Sequence, residues 1–540
     1  MKIIKSGITF GIIGGMLTFL FGGWSVAIIG SLMGVGLGMG ISGKLERKNP
    51  MQIALSVLPT ALVAGTILVL LSLYQNNFVQ HAIGKRPAAD NIVLYGNLIG
   101  FLGTVLFTTL LAAMHGLPIK QEQQWKMILL GMLIVAFPFI DKLTALRWTA
   151  QIIFALIFVI LGLGLNIVVG YAGLLDLGYA AFFAIGAYTT GMLSSNAHNI
   201  HTNFWIVIWI AAAMAAVWGF MLGAPTLPLR GDYLAIVTLG FGEIVPVLFK
   251  NLINVTIKEP FTCWILPMFK INTTCKVFVE NFDLTLGEKG ISPIGRPWFP
   301  FFGNLPTNVN TIHGQWAIGN KWLYIGEFES SNPITWYFLI IAIILLSVFV
   351  ITRLRNSRLG RSWMAIREDE LAAAQMGIDP VKTKLAAFAL GATFSGFAGA
   401  FYAAYISGIF PSVFDFSASI IILCVVILGG IGNINGVIVG GLVLMTADRL
   451  FLPALKDFLA SLLTHTVLPS ISDPVVQMAV KDNANPILYR FLLFGLTLVI
   501  MMAVRPEGLI PNAQNRAELH PDEAPVVETE TPKTKKAKKG

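Results

Sequence analysis

The chain has 540 residues, of which 55% are hydrophobic and 12% charged, against roughly 25% charged in an ordinary soluble domain. With a mean hydropathy of +0.74, a soluble globular fold is excluded. The formal net charge of +9 does not point to nucleic acid, because residues 511–540 hold Arg516 and five lysines against five acids and the excess therefore lies on the apolar body.

Apolar runs near or above the ~20 residues that cross a bilayer recur from the N-terminus to Val504. They are continuous and rich in Leu, Ile, Ala and Gly, unlike the ~10-residue alternating strands of a membrane barrel, so helices must satisfy the backbone. Lys2 and Lys5 precede an apolar run over 7–41. It is too long for a signal-peptide core and lacks a clear small-residue cleavage site, so it is expected to be retained. Gly30, Gly34, Gly36, Gly38 and Gly40 give this run the small-residue spacing that lets helices approach closely. It reads as one long helix or a short hairpin. Spans at 52–75 and 92–114, with Lys85, Arg86, Lys120 and Lys126 in the polar loops, complete an N-terminal transmembrane extension, residues 1–120, of three or four helices.

A core over 121–510 follows, with apolar segments at 127–140, 148–166, 171–194, 203–223 and 233–250. Residues 251–333 break the pattern with Pro260, Pro267, Pro293, Pro297, Pro300 and Pro306 and predict a small structure outside the bilayer. Spans resume at 334–352, 383–407, 417–433, 435–452 and 487–504. The fold class is thus an all-α polytopic membrane protein, with a core of ten transmembrane helices behind the extension. The loop 353–384 carries Arg353, Arg355, Arg358, Arg361, Arg367, Lys382 and Lys384 and should be cytoplasmic. Counting spans from it puts 251–333 outside and the charged, disordered tail 511–540 inside. Cys263 and Cys275 share the outer loop, where they read equally as one bridge or as two free thiols, while Cys424 lies within an apolar run.

Enzyme signatures are mostly absent, and no catalytic residue is assigned. Gly38 to Lys44 matches the first seven places of a phosphate-binding loop, but Leu45 replaces the required hydroxyl residue and an apolar helix end is the wrong setting. His198 and His201 have a spacing that suits metal ligands, yet no Cys or carboxylate stands nearby, and a polar turn between spans is the favoured reading. Around Gly170, Gly173 and Gly178 the chain sets Asp176 in an apolar surround, predicting an interrupted helix of the kind that builds transporter binding sites. Thr238, Gly429 and Gly430 join this candidate translocation path. Glu243 lies inside a span, where a lone carboxylate costs at least ~2.5 kcal/mol unless it pairs or faces water. It either lines the path or makes a structural hydrogen bond. Arg230 and Asp232, a helix length back, set the span's end rather than pairing with it. In the cytoplasmic loop, Arg367, Glu368, Asp369 and Glu370 lead into a short helix that ends at Gly377, with acids at its N-terminus and glycine at its close. It is either a docking element for a soluble partner or a solvated connection.

Several separated strings resemble the LivM-type permease subunit of the ABC importers for branched-chain amino acids: "GLGLNIVVGYAGLLDLGYAAFFAIGAY" from Gly162, "PTLPLRGDYLAIVTLGFGEI" from Pro225, "GRSWMAIREDELAAAQMGI" from Gly360, "VILGGIGNINGVIVGG" from Val426 and "RPEGLIP" from Arg505. The resemblance spans 127–511. It implies a bacterial inner-membrane subunit that binds no cofactor itself. Its expected partners are a LivH-type permease, two cytoplasmic LivG/LivF-type ATPases that bind ATP and Mg, and an extracytoplasmic binding protein. It also implies that Arg367, Glu368, Asp369, Glu370, Ala373 and Gly377 belong to the ATPase-coupling motif. One departure is an insertion after "GFGEI": "NVTIKEPFTCWILPMFKINTT" intervenes before "GEKGISPIGRP". The rivals to a branched-chain cargo are urea or short amides, carried by related permeases. A different mechanism altogether would be an ion-coupled carrier using Asp176 and Glu243.

Overall fold

The computed structural model describes residues 119–144, 148–195, 200, 202–226, 231–253, 255–258, 277–297, 328, 333–453, 456, 463, 485–505 and 507–510. Nearly all of the extension, the phosphate-loop-like segment, His198, His201, Arg230, Cys263, Cys275 and the tail lie outside these residues.

Each apolar segment of the core carries a helix. In chain order these are α1 (Ile119–Thr144), α2 (Trp148–Leu165), α3 (Tyr179–Ser194), α4 (Phe204–Thr226) and α5 (Gly231–Asn251), then α6 (Pro333–Arg355). Two shorter helices follow, α7 (Arg358–Glu368) and α8 (Glu370–Gln375), before α9 (Pro380–Ile406), α10 (Phe416–Gly429), α11 (Ile434–Thr446) and α12 (Arg490–Val504). Among the described residues, seven helices are long and apolar enough to cross a membrane by length and composition. Neither α3, with 16 residues, nor α10, with 14, is among them. At 1.5 Å per residue α3 is about 24 Å long, short of a ~30 Å hydrocarbon core. The expected span over 171–194 is helical only from Tyr179. Ahead of it, α2 closes in a wider turn over Asn166–Tyr171 and the chain then runs as irregular backbone to Gly178.

The described residues divide into two compact units: those of Met1–Ala155, Ser331–Phe338 and Leu444–Leu493, and those of Leu156–Ser330, Leu339–Val443 and Phe494–Gly540. In the first, Asp141 near the end of α1 is buried and caps the next helix. Its carboxylate accepts from Trp148 N at 3.0 Å, from Thr149 N at 2.8 Å and from the Thr149 hydroxyl. Helix N-termini leave backbone donors unpaired and favour negative charge, so a carboxylate supplies both needs. Trp125, Ile128, Met132, Val135 and Phe139 recur at helical spacing on the exposed side of α1, an apolar face suited to lipid.

The second unit is organised around α9, whose small residues let neighbours close in. A Cβ added to Gly186 of α3 would lie 2.6 Å from the Gly396 Cα of α9, so these backbones touch where only glycine fits. Outside the membrane helices, β1 (Val255–Lys258) pairs antiparallel with β2 (Val277–Phe282). This two-stranded ribbon brackets the insertion. The following segment is pinned to three helix ends: Thr285 Oγ1 donates to Phe249 O at 2.7 Å, Gly295 N to Ser194 O at 2.7 Å, and Ile291 exchanges backbone bonds with Ile409.

Candidate functional site

Two of the places singled out in the sequence meet in space. The break between α2 and α3 lies against the end of α7. Arg367 Nη1 donates to the Gly170 carbonyl at 2.6 Å, and the Arg367 Cγ lies 2.9 Å from where a Gly173 Cβ would stand. Gly173 has φ +70°, a conformation that favours glycine, and any side chain there would displace the arginine. Arg355, at the end of α6, holds its guanidinium 5.9 Å from the centre of the Tyr171 ring. The interruption is thus not in the middle of one span. It is a break between two helices, next to the loop that carries α7.

Asp176 sits in this break with 1% of its surface exposed. Its Oδ1 accepts from Gly178 N at 2.9 Å, tightening the entry into α3, while its Oδ2 has no hydrogen-bond partner. Thr238 stands alongside, and its hydroxyl also lies within hydrogen-bonding reach of the Asp176 carboxylate. Its hydroxyl donates to Ala235 O and accepts from Leu177 N, both at 3.1 Å, and so stitches the break to α5. A Cβ on Gly178 would run into the Thr238 carbonyl, which makes this residue a contact point between α3 and α5. Asp176, Gly178 and Thr238 line a small crevice of about 10 Å³, room for a single water, whose other walls are Phe182, Leu222, Val237, Phe241 and Phe388.

The loop between α6 and α9 is tied down by caps and packing contacts. Ser357 caps α7 through Gly360 N at 3.3 Å, and the wholly buried Trp363 donates its indole N–H to Thr383 O at 2.7 Å, fastening α7 to α9. Asp369 ends α7 and caps α8, its Oδ1 accepting from Leu371 N at 2.9 Å and Ala372 N at 3.0 Å. Gly377 closes α8 at φ +84°, with Gly377 N bonded to Ala374 O and Ile378 N to Ala373 O. Nothing lies within 4 Å of a Gly377 Cβ, so conformation alone selects glycine there. Ala373 is buried and Glu368 is exposed. Glu370 is not free for a partner: its carboxylate pairs at 2.7 Å with Lys384 Nζ, whose side chain is only 9% exposed. Leu371, in the first turn of α8, and Met376, just past its end, stand 77% and 84% exposed. Downstream, Asp379 caps α9; the Lys382 backbone N–H and then the Lys382 side chain hold its carboxyl below its ordinary value.

The remaining path residues lie elsewhere. Gly429 and Gly430 form the tight α10–α11 turn, where Gly430 has φ +115° and Leu509 N and Ile510 N bond to Leu428 O and Gly429 O. Neither lines the Asp176 crevice. Their turn touches the break indirectly, through Gly432 N donating to Asn166 Oδ1 at 2.8 Å. Glu243 is exposed, on an α5 face shared with Tyr233, Ile236, Gly240, Ile244 and Val247.

The family model described as "Branched-chain amino acid transport system / permease component" matches residues 149–501, well over half the chain. The chain belongs to this permease family. Among its relatives, the high-affinity branched-chain amino acid transport system permease protein LivM of Escherichia coli K12 is 36% identical over 413 residues, covering 76% of this chain and 80% of the relative. LivM of Salmonella typhimurium is 35% identical over 417 residues, 77% and 81% of the two chains. LivH of Escherichia coli K12 is 28% identical over 175 residues, 32% of this chain and 50% of that one. No solved structure matches. Permease membership and the seven apolar helices among the described residues make the chain a multi-pass inner-membrane transport component.

Proposed function

We propose that this permease is one membrane half of an ATP-driven importer for branched-chain amino acids, as the names of its LivM relatives describe those proteins. The observation that carries the mechanism is the direct bond from Arg367, at the end of α7, to the Gly170 carbonyl in the broken segment. Movement of α8 by a docked ATPase would reach α2, α3 and the Asp176 crevice without passing through flexible chain. In this reading Leu371 and Met376 are the contacts to the ATPases, and ATP and Mg are bound by those partners. Asp369 and Gly377 shape the helix that presents the contacts. The α5 face carrying Glu243 is covered by a LivH-type permease, since in lipid that carboxylate would cost at least ~2.5 kcal/mol. An extracytoplasmic binding protein delivers the cargo to the side where Thr285 and Gly295 tie down the loop after β2.

The test is purification of the complex by a tag on this chain, with and without the double substitution Leu371→Asp and Met376→Asp. Two ATPases and a second permease should accompany the unaltered chain, and the variant should keep the permease while losing the ATPases. Undiminished ATPase recovery would remove α8 as the docking element. An unaltered chain that purifies alone and accumulates amino acid on an ion gradient would overturn the importer reading itself.

A further inference from the structure

One buried charge lies outside the path through Arg367. Lys384, in the second turn of α9, has only 9% of its side chain exposed, and among the described side chains no other cation is so enclosed. A buried ammonium is costly unless it is paired. Its counter-ion is Glu370, whose carboxylate lies 2.7 Å away on a half-exposed side chain. The neighbouring Asp379–Lys382 pair is exposed on both sides and contributes little.

The positions of the two charges give the pair its consequence. Glu370 is the first residue of α8, and the other end of α8 joins α9 through the short link from Met376 to Asp379. Within that link Gly377 has φ +84° and open space where a Cβ would stand, so it is the natural pivot for α8. The ion pair crosses the pivot and ties the far end of α8 back onto α9. While it holds, α8 cannot swing without stranding a buried ammonium.

Helix α9 is in turn locked to its neighbours. A Cβ on Gly396 would lie 2.7 Å from the Ala212 Cα of α4 and one on Gly399 would lie 2.5 Å from the Phe183 carbonyl of α3, while the Tyr179 hydroxyl of α3 donates to Gly391 O at 2.7 Å. Helices packed this closely move together, because dense interiors transmit strain.

We propose that Lys384 is a positioning residue for energy coupling: paired with Glu370 it locks α8 onto α9, so that a docked ATPase moves α8, α9, α3 and α4 as one body. This rests on the importer reading and adds to it the helices that receive the force. Arg367 fastens the broken segment to that body through Gly170 O, so coupling needs both contacts and neither replaces the other.

The test uses the full complex in liposomes, with ATP on the side of the ATPases and leucine offered through the binding protein. Lys384→Met removes the ammonium and leaves Glu370 on a half-exposed side chain that water can reach. The variant complex should keep its partners and hydrolyse ATP, with leucine moved per ATP lower by on the order of tenfold. A bond that only stabilised the fold would lower the melting temperature and leave that ratio unchanged in intact complexes, and this result would overturn the proposal. Glu370→Lys sets two cations together and should also uncouple, whereas Glu370→Lys combined with Lys384→Glu restores the attraction and should recover most of the ratio. If Glu370→Lys instead loses the ATPases and the swap does not bring them back, Glu370 serves the partner and the proposal fails. Should Lys384→Met not assemble, the swap decides: recovery of coupling supports the pair, and a swapped chain that does not assemble or does not couple refutes it. No ATP-driven leucine uptake by the unaltered complex would overturn the importer reading instead.

Discussion

Arg367 is the place where the link between the cytoplasmic loop and the membrane helices can be cut with least other damage. Its Nη1 donates to Gly170 O at 2.6 Å, across 197 residues of sequence. A hydrogen bond from a charged donor is worth about 1.5–3 kcal/mol. If the bond is present in one access state and broken in the other, losing it shifts the balance between them by on the order of 10- to 150-fold. Arg367→Ala removes the donor while leaving Trp363 bound to Thr383 O and Asp369 capping α8, so α7 and α8 should keep their shape and their docked partners. The assay is leucine transported per ATP hydrolysed in liposomes. We expect that ratio to fall at least tenfold in Arg367→Ala, with Arg367→Lys, which keeps a cationic donor, recovering part of it. An unchanged ratio in an intact Arg367→Ala complex would refute the reasoning, because force would then bypass the Gly170 bond.

Three further outcomes follow from individual contacts. Asp141→Ala strips the acceptor from two backbone N–H groups and one hydroxyl at the start of α2, and should destabilise the detergent-solubilised chain by about 2–3 kcal/mol, read as a lowered melting temperature that Asp141→Asn partly restores. Gly186→Ala must separate α3 from α9, since the new Cβ would lie 2.6 Å from the Gly396 Cα; overpacking of this kind costs about 1–3 kcal/mol and should show in the same melting assay, while Gly240→Ala, with nothing within 4 Å, serves as the silent control. Asp379 has its carboxyl held down by the Lys382 backbone N–H and side chain, so its capping contribution is present above the unfolded carboxyl value of about 3.9 and is lost as pH falls through the lower folded value. The melting difference between the unaltered chain and Asp379→Ala should therefore be constant from neutral pH to about pH 4 and close only under stronger acid.

The core helices among the described residues were legible because hydropathy measures removal from water, whichever surroundings do the removing. For the same reason it misread α3 as a full span. Its 16 residues are apolar because protein covers them: Phe182 and Phe183 are each 2% exposed, and Ala181, Ala184 and Ala187 are wholly buried. Helix α8 was legible to the residue, since Asp369, the alanines and Gly377 are local signals for capping, propagation and termination. Partner choice is not local, and there the pattern fell short. Glu370 looked like an exposed docking charge until Lys384, 14 positions on and 9% exposed in its side chain, took it as counter-ion. Substituting Glu370 therefore tests an internal ion pair as much as a docking surface, and Leu371 and Met376 are the cleaner probes. Gly429 and Gly430 carried a path-like glycine pattern, yet their backbone is committed to a turn closed by Leu509 and Ile510. Asp176 is the converse case. Its apolar surround marked a break in the helix, but the cause was visible only in three dimensions, where Phe241 of α5 and Phe388 of α9 join Phe182 of α3 around it. Periodicity along one segment cannot show such an enclosure, because its walls come from helices distant in sequence, whereas Glu243 stands on the exposed face of α5.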